Sequence, residues 1–246
     1  MNNEDYLRVT SEVNIIINNA ASVQFNDWLD LAIWSNTLST LNLINFAKAC
    51  PNLIICTHVS TAYVNCNKPG GFIEEKIYED DITFDIEAFI KQVLAMSIKD
   101  IETNQTRLIG DFPNTYTFTK HIGEKLITKY WENVPLVIIR PSIIGNSVVD
   151  PCWGWIDSNS AATAIYFAAA TGVMQALPGN INTIGDQIPV DYVSNCIIAA
   201  TAHNAYKNRF KIIHSSSSSI NPCTWAMVRK HLYEFGNKVK IVIALR

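Results

Sequence analysis

The sequence predicts an α/β chain built on a doubly wound parallel sheet. Three short apolar runs rich in β-branched residues, "VNIIINNAA", "NLIICTHVST" and "VPLVIIRPS", are bounded by polar or proline-containing segments. They lack the alternation of a half-exposed strand, so each reads as a strand buried on both faces. Between them lie segments of helical period, "WLDLAIWSNTLSTLNLINFAKAC" after the first run and "YTFTKHIGEKLITKYWE" before the third. Strands alternating with helices make a parallel sheet with crossover connections. Ligands of such sheets bind outside the carboxyl ends of the strands, so "NNAAS", "VSTAY" and "RPSIIG" are expected to converge on one crevice.

The remaining elements follow in order. Asn65 to Gly110 reads as an acidic insertion, with "GGFIEEKIYEDD" leading into an amphipathic helix around Phe84 to Ile98. From Pro151, "DPCWGWIDSNSAATAIYF" reads as loop then helix, and "IPVDYVSNCIIAATAHNAY" as a helix entered through Pro189 and Asp191. "RFKIIHSSSSS" reads as a strand running into a low-complexity serine loop, Ser215 to Ser219. There is no internal repeat.

Bulk properties narrow the function classes. A chain of 246 residues holds one sizeable core, and one domain is expected. With 48% hydrophobic and 17% charged residues and a net charge of -3, nothing in the charge favours a nucleic acid partner. The six cysteines are scattered without a CxxC pair, which points away from a zinc site and from a disulfide framework and towards reduced thiols. The polar, acidic start "MNNEDYLRVTSEVN" is neither a signal peptide nor a basic transit segment. The longest apolar stretch, Ala161 to Leu177, falls short of a membrane span.

The chemistry concentrates in "NTYTFTKHIGEKL". On a helix, positions four apart share a face, so Tyr116 and Lys120 project together. A phenol's ordinary pKa of about 10 is too high for ready proton exchange near neutrality. A neighbouring ammonium lowers it and makes Tyr116 a general acid or base, suited to protonating a carbonyl oxygen that receives hydride. Asp111 and Asn114 are candidate caps at the helix entrance. Ser60 and Thr61 end the second strand, where a hydroxyl can bond the same carbonyl oxygen. The same spacing also fits an ordinary surface helix, and the same hydroxyls ordinary strand-end turns.

Taken together, "NNAAS", "HVSTAYVN", "YTFTK" and "RPSIIG" resemble the extended short-chain dehydrogenase/reductase superfamily, with its Rossmann-like sheet. "HVSTAYVN", "IEEKIY", "GDFPNTYTFTKHIGEKL", "IRPSII", "GWIDSNS", "GDQIPVDYVSN" and "HSSSSSINPCTW" resemble the alcohol-forming fatty acyl-CoA reductases, the male-sterility group, and especially its insect-like members. The resemblance runs from about Ser11 to Gly236. It implies an enzyme that reduces long-chain fatty acyl-CoA to fatty alcohol through an aldehyde, using NADPH. It further implies Thr61, or Ser60 beside it, as the catalytic hydroxyl, Tyr116 as proton donor, and Lys120 as the lysine that orients the cofactor ribose. Ala20 and Ala21 are expected against the cofactor, Asn36 near the lysine, and Pro141 and Ser142 as backbone beside the nicotinamide. Trp153, Trp155 and Tyr166 are candidates for an acyl-chain tunnel. A peroxisomal or endoplasmic-reticulum membrane location, facing the cytosol, is the family's implication.

The resemblance also exposes departures. The family's opening strand and glycine-rich turn, whose amides hold the cofactor pyrophosphate, have no counterpart, since no GxxGxxG occurs among the ten glycines. The expectation is a fragment: one incomplete NAD(P)-binding domain over residues 1–246, with a substrate-binding portion from about residue 151, lacking its first strands and the family's C-terminal domain. Membrane association would come through segments not present here. "NNAAS" carries Asn19 where relatives place histidine or a serine neighbour, and "ATGVMQALPGN" lacks the usual basic residues. Two other readings remain: a reductase of another carbonyl substrate, and a non-catalytic remnant.

Overall fold

The structure, a computed structural model, describes residues 2–79, 82–158, 160–207 and 209–238. Asp80 and Asp81 of the acidic insertion lie outside the described residues. Helix α1, Asn3–Glu12, is entered through Asn2, whose side chain accepts from the Asp5 N–H. It is followed by β1, Ile15–Asn18. The next helical run is composite: α2 (Leu29–Ala32), a π-helical turn (Ile33–Leu38) and α3 (Ser39–Lys48). Strand β2, Ile55–Val59, ends in a 3-10 turn, Ala62–Asn65. The helix expected around Phe84 to Ile98 is α4 (Ile86–Leu94), and a second helix that the sequence reading did not give, α5 (Ile98–Ile109), follows it. Ser97 makes the break: its hydroxyl donates to Asp100 Oδ2 at 2.6 Å and accepts from the Asp100 N–H at 3.2 Å, a reciprocal cap. Then come α6 (Thr115–Tyr130), β3 (Leu136–Pro141), β4 (Ile143–Gly145), α7 (Ala161–Ala170), β5 (Gln187–Pro189), α8 (Val190–Asn204), β6 (Phe210–Ser215) and α9 (Trp225–Lys238).

Where the sequence reading has one domain, the chain divides into two compact units. The first comprises residues 1–140 and 197–214, the second residues 141–196 and 215–246. The expected substrate-binding portion from about residue 151 falls in the second unit as far as residue 196.

The first unit is built on the sheet β1-β2-β3-β6. β1 pairs parallel with β2, Ile15 against Ile55, and β2 parallel with β3, Cys56 against Leu136. Every residue of β2 and β3 is buried, as expected. β1 departs from expectation: Ile15 and Ile17 are about half exposed, because β1 is the edge and has one neighbouring strand among the described residues. Two apolar clusters meet at α6. Phe118, Ile122 and Leu126 pack with Leu29, Ile33, Ile90, Val93 and Ile101. Ile127 packs with Ile44, Cys56, Leu136, Ile138 and Ile212. On β2, the Thr57 hydroxyl shares a 2.8 Å hydrogen bond with Thr201 of α8.

The second unit holds a two-stranded parallel sheet of β4 and β5. The Asp191 carboxylate gathers the N–H groups of Val148, Val149 and Asp150, which orders the loop after β4. The serine run is fastened: Ser216 and Ser218 donate to Asp186 Oδ1, and Ser217 donates to the Gln187 carbonyl. Its hydroxyls are the anchors of that loop, a role composition alone does not reveal. α7, α9 and the segment between Met174 and Thr183 line an open cavity of about 870 Å³.

One close approach in the first unit sets the packing of α6. A Cβ added at Gly123 would lie 3.2 Å from the Asn36 carbonyl oxygen and 3.7 Å from Thr37 Cα. Glycine costs a helix interior roughly 0.5–1 kcal/mol relative to alanine, and here the missing Cβ admits the π-helical turn. Gly123→Ala is therefore expected to destabilise the chain by about 1–3 kcal/mol despite its better helix propensity. Urea unfolding of the two proteins checks the sign.

Candidate active site

Tyr116, Lys120, Thr61 and Ser60 all belong to the first unit. Asn114 caps α6, accepting from the Thr117 N–H at 2.9 Å. Of the two expected caps it alone makes this bond; Asp111 lies in the preceding turn. The cap starts the helix one residue before Thr115, so Tyr116 sits in its first turn and Lys120 one turn deeper. Thr61, in extended conformation after β2, accepts from the Tyr63 N–H at 3.2 Å. Its side chain also lies near enough to the Tyr116 phenol to bear on its proton affinity. Of the two hydroxyls proposed at this strand end, Thr61 is the one that meets the tyrosine. The Ser60 hydroxyl is buried and has no partner among the described residues.

The electrostatics depart from the expected lowering of the phenol by the ammonium. Burial pushes the Tyr116 pKa up, opposed by the Thr61 side chain. Lys120 is 3% exposed and donates from Nζ to the Val59 carbonyl at 3.0 Å. Burial brings its pKa down to about 8, with the charge of Glu124 opposing. Tyr116 is thus held in its protonated form at neutral pH, the state of a proton donor.

Asn36 is buried in the π-helical turn, a distortion that often marks a functional position. Its amide accepts from the Ser22 N–H at 2.9 Å, and donates to the Ser22 carbonyl at 3.1 Å and to Thr119 Oγ1 at 3.2 Å. It therefore ties the loop after β1 to α6, one residue from Lys120. Ala20 and Ala21 lie exposed in that loop, and the Ala20 N–H donates to Asn18 Oδ1 at 3.3 Å. Pro141 ends β3, and Ser142 donates its N–H to the Ser215 carbonyl at 3.0 Å; both belong to the second unit.

Sequence reasoning missed three participants. The Phe25 ring lies 5.6 Å from that of Tyr116, covering part of it. His58 on β2 accepts from the Asn18 amide at Nδ1, 3.1 Å away, and burial together with the Lys120 charge pushes its pKa well down, leaving it neutral. Glu124 forms a fully buried ion pair with Arg140. Only Glu124 had a local signal, its position four residues after Lys120 on the same helix face.

The buried lysine gives a measurable pH dependence. Its folded pKa of about 8 lies below the ordinary 10.5, so between these values the unfolded chain holds more protons and stability rises with pH. Below pH 8 the cost of the buried charge is fully present. The expected gain attributable to Lys120 is on the order of 3 kcal/mol, read as the difference between the chain and its Lys120→Met variant in urea unfolding from neutral to alkaline pH. A difference independent of pH would contradict the burial of a charged lysine.

Comparison with known proteins agrees with the geometry. The sequence profile of an NAD-binding family described as male sterility protein matches residues 1–197. Probable fatty acyl-CoA reductase 5 of Arabidopsis thaliana is 34% identical over 93% of this chain and 51% of its own length. Fatty acyl-CoA reductase 1 of Xenopus laevis is 33% identical over 94% of this chain and 45% of its own length. The chain thus spans about half the length of the curated relatives it matches. Among solved structures, the terminal R domain of the myxalamid PKS-NRPS pathway superposes with a TM-score of 0.67 at 17% identity, over 96% of this chain and 50% of that one. UDP-glucuronic acid 4-epimerase from Bacillus cereus, solved with NAD, gives 0.62 at 17% identity, over 96% of this chain and 63% of that one. The fold is that of the extended short-chain dehydrogenases, and the chain belongs to the NAD-binding male sterility family, among whose relatives are the fatty acyl-CoA reductases.

Proposed function

We propose that this chain is the catalytic portion of an NADPH-dependent reductase that converts long-chain fatty acyl-CoA to fatty alcohol. The observation that carries the reading is the placement of the Tyr116 phenol beside Thr61 at the carboxyl end of β2, with Lys120 one turn deeper on α6. The fatty acyl-CoA reductases aligned over most of the chain supply the substrate class.

The residues present fit the reacting end of a nicotinamide cofactor. Lys120 uses one N–H on Val59 and keeps two for ribose hydroxyls. The unpartnered Ser60 hydroxyl lies beside Thr61. Ala20 and Ala21 would bound the cofactor from the loop after β1, and Asn36, in the π-helical turn, would stand near Lys120; Pro141 and Ser142, the expected backbone beside the nicotinamide, belong to the second unit. The bound cofactor supplies hydride. In the first reduction, Tyr116 donates a hydrogen bond to the thioester oxygen as it gains negative charge, while Thr61 orients the phenol. The C–S bond then breaks and CoA leaves as the thiolate, giving the aldehyde. In the second, Tyr116 would pass its proton to the aldehyde oxygen as hydride arrives at carbon.

The cavity of the second unit supports a long acyl substrate. Ile165, Ala169, Met174, Leu177, Val228 and Leu232 line it, and its volume of about 870 Å³ is in the range of ligand pockets. Trp153, Trp155 and Tyr166, the sequence candidates for a tunnel, are not among its lining. Trp153 is almost fully exposed, and Tyr166 donates to Gln187 Oε1. No helix among the described residues is long and apolar enough to cross a membrane, so a peroxisomal or endoplasmic-reticulum surface location would rest on other segments.

The test is NADPH oxidation with palmitoyl-CoA, on this chain and on a longer form carrying a glycine-rich turn, each with Tyr116→Phe. Turnover that falls by about 10²–10⁴ in Tyr116→Phe is the expected result. Turnover unaffected by Tyr116→Phe would remove the phenol from the mechanism.

A further inference from the structure

The Glu124–Arg140 pair takes no part in the chemistry just described. Arg140 Nε donates to Glu124 Oε1 at 3.1 Å and NH2 to Oε2 at 2.6 Å, a bidentate pair whose side chains are 1% and 2% exposed. The guanidinium completes its contacts with the Lys76 carbonyl at 3.0 Å and with His214 Nε2, 3.3 Å from NH1. Such a pair adds little net stability, because desolvating two ions offsets most of their attraction. Its position gives it another use. Tyr116, Lys120 and Glu124 follow one another at intervals of four on α6 and share one face.

Around the Lys120 ammonium, the charged and titratable groups are few. On its own helix stand the Tyr116 phenol, which stays protonated, His121, whose Nδ1 bonds the Val64 carbonyl, and Glu124. On β2 stands His58, neutral, whose proton affinity the Lys120 charge lowers. On β3 stands Arg140, committed to Glu124, Lys76 and His214, and on β6 His214 itself. Glu124 is the one negative charge in this set and the influence that opposes burial at the lysine. We infer that Glu124, clamped by Arg140, is the counter-charge that holds Lys120 as an ammonium at the Val59 carbonyl, which makes it a positioning residue. Its significance for catalysis rests on the reading of Lys120 as the cofactor-orienting lysine, but the proton equilibrium can be measured whether or not the chain turns over.

The experiment uses this chain and three variants, Glu124→Gln, Glu124→Asp and the double variant Glu124→Gln/Arg140→Met, each with and without Lys120→Met. Urea unfolding from neutral to alkaline pH gives, by difference, the pH at which the Lys120-dependent rise in stability begins. In the parent that onset is about 8. The double variant removes both buried charges and is expected to regain the stability lost in Glu124→Gln. Its onset is nevertheless expected about one pH unit or more lower, and Glu124→Asp, which keeps the charge, is expected to restore it. A purely structural pair would give a double variant with recovered stability and an onset still at about 8. That result overturns the inference, as does a parent in which no Lys120-dependent rise is seen.

Discussion

The first unit depends on a helix that is buried almost all round while carrying many polar side chains. From Thr115 to Ile127, α6 exposes little to water, yet it holds three threonines, two lysines, a histidine and a glutamate within that span. A buried polar group without a partner costs more than a typical hydrogen bond returns, so each of these side chains is tied to a particular neighbour. Thr115 donates to the Asp27 carbonyl, Thr119 to the Thr115 carbonyl, Lys120 to that of Val59, and His121 Nδ1 to that of Val64. Rotation or sliding of α6 would break several of these at once. The helix therefore has one seat, and the spacing of Tyr116, Lys120 and Glu124 is transmitted to the site without slack.

The site sets two groups against their ordinary behaviour in opposite directions. Burial raises the phenol and lowers the lysine, so the phenol keeps its proton while the ammonium comes closer to losing one. A donor must hold its proton until a stronger base appears next to it, and an oxygen taking up hydride is such a base. The arrangement suits the reduction proposed above, in which the proton would move outward from the tyrosine and the lysine need only keep its charge despite burial.

Much of the first unit was legible in sequence because its signals are local. β2 and β3 are continuous apolar runs, and α6 combines a helical period with a capping asparagine. The tyrosine and lysine declare themselves by a spacing of four. What was not legible depends on partners distant in the chain. The half-exposed state of β1 follows from its place at the sheet edge, and its isoleucines read like those of a central strand. The π-helical turn at Asn36 leaves no mark in composition, and the backbone that packs against it is at Gly123, more than eighty residues along. Arg140 finds Glu124 across a helix-to-strand crossover, and the anchors of the serine run are Asp186 and Gln187 on a different segment. The break between α4 and α5 is the exception: Ser97 and Asp100, three apart ahead of an apolar periodicity, are a readable cap.

The loop between β1 and α2 is held from three directions. Its Ser22 is bonded to Asn36, the Asp27 carbonyl to Thr115, and the N–H of Leu29, just beyond it, to Gln105 of α5. Phe25, which leans on the Tyr116 ring, is carried by that loop. The acidic insertion, through α5, therefore has a mechanical hold on the cover of the phenol. A change at Gln105 would reach the ring that covers Tyr116 through the backbone between Phe25 and Leu29, without touching Tyr116, Lys120 or Thr61.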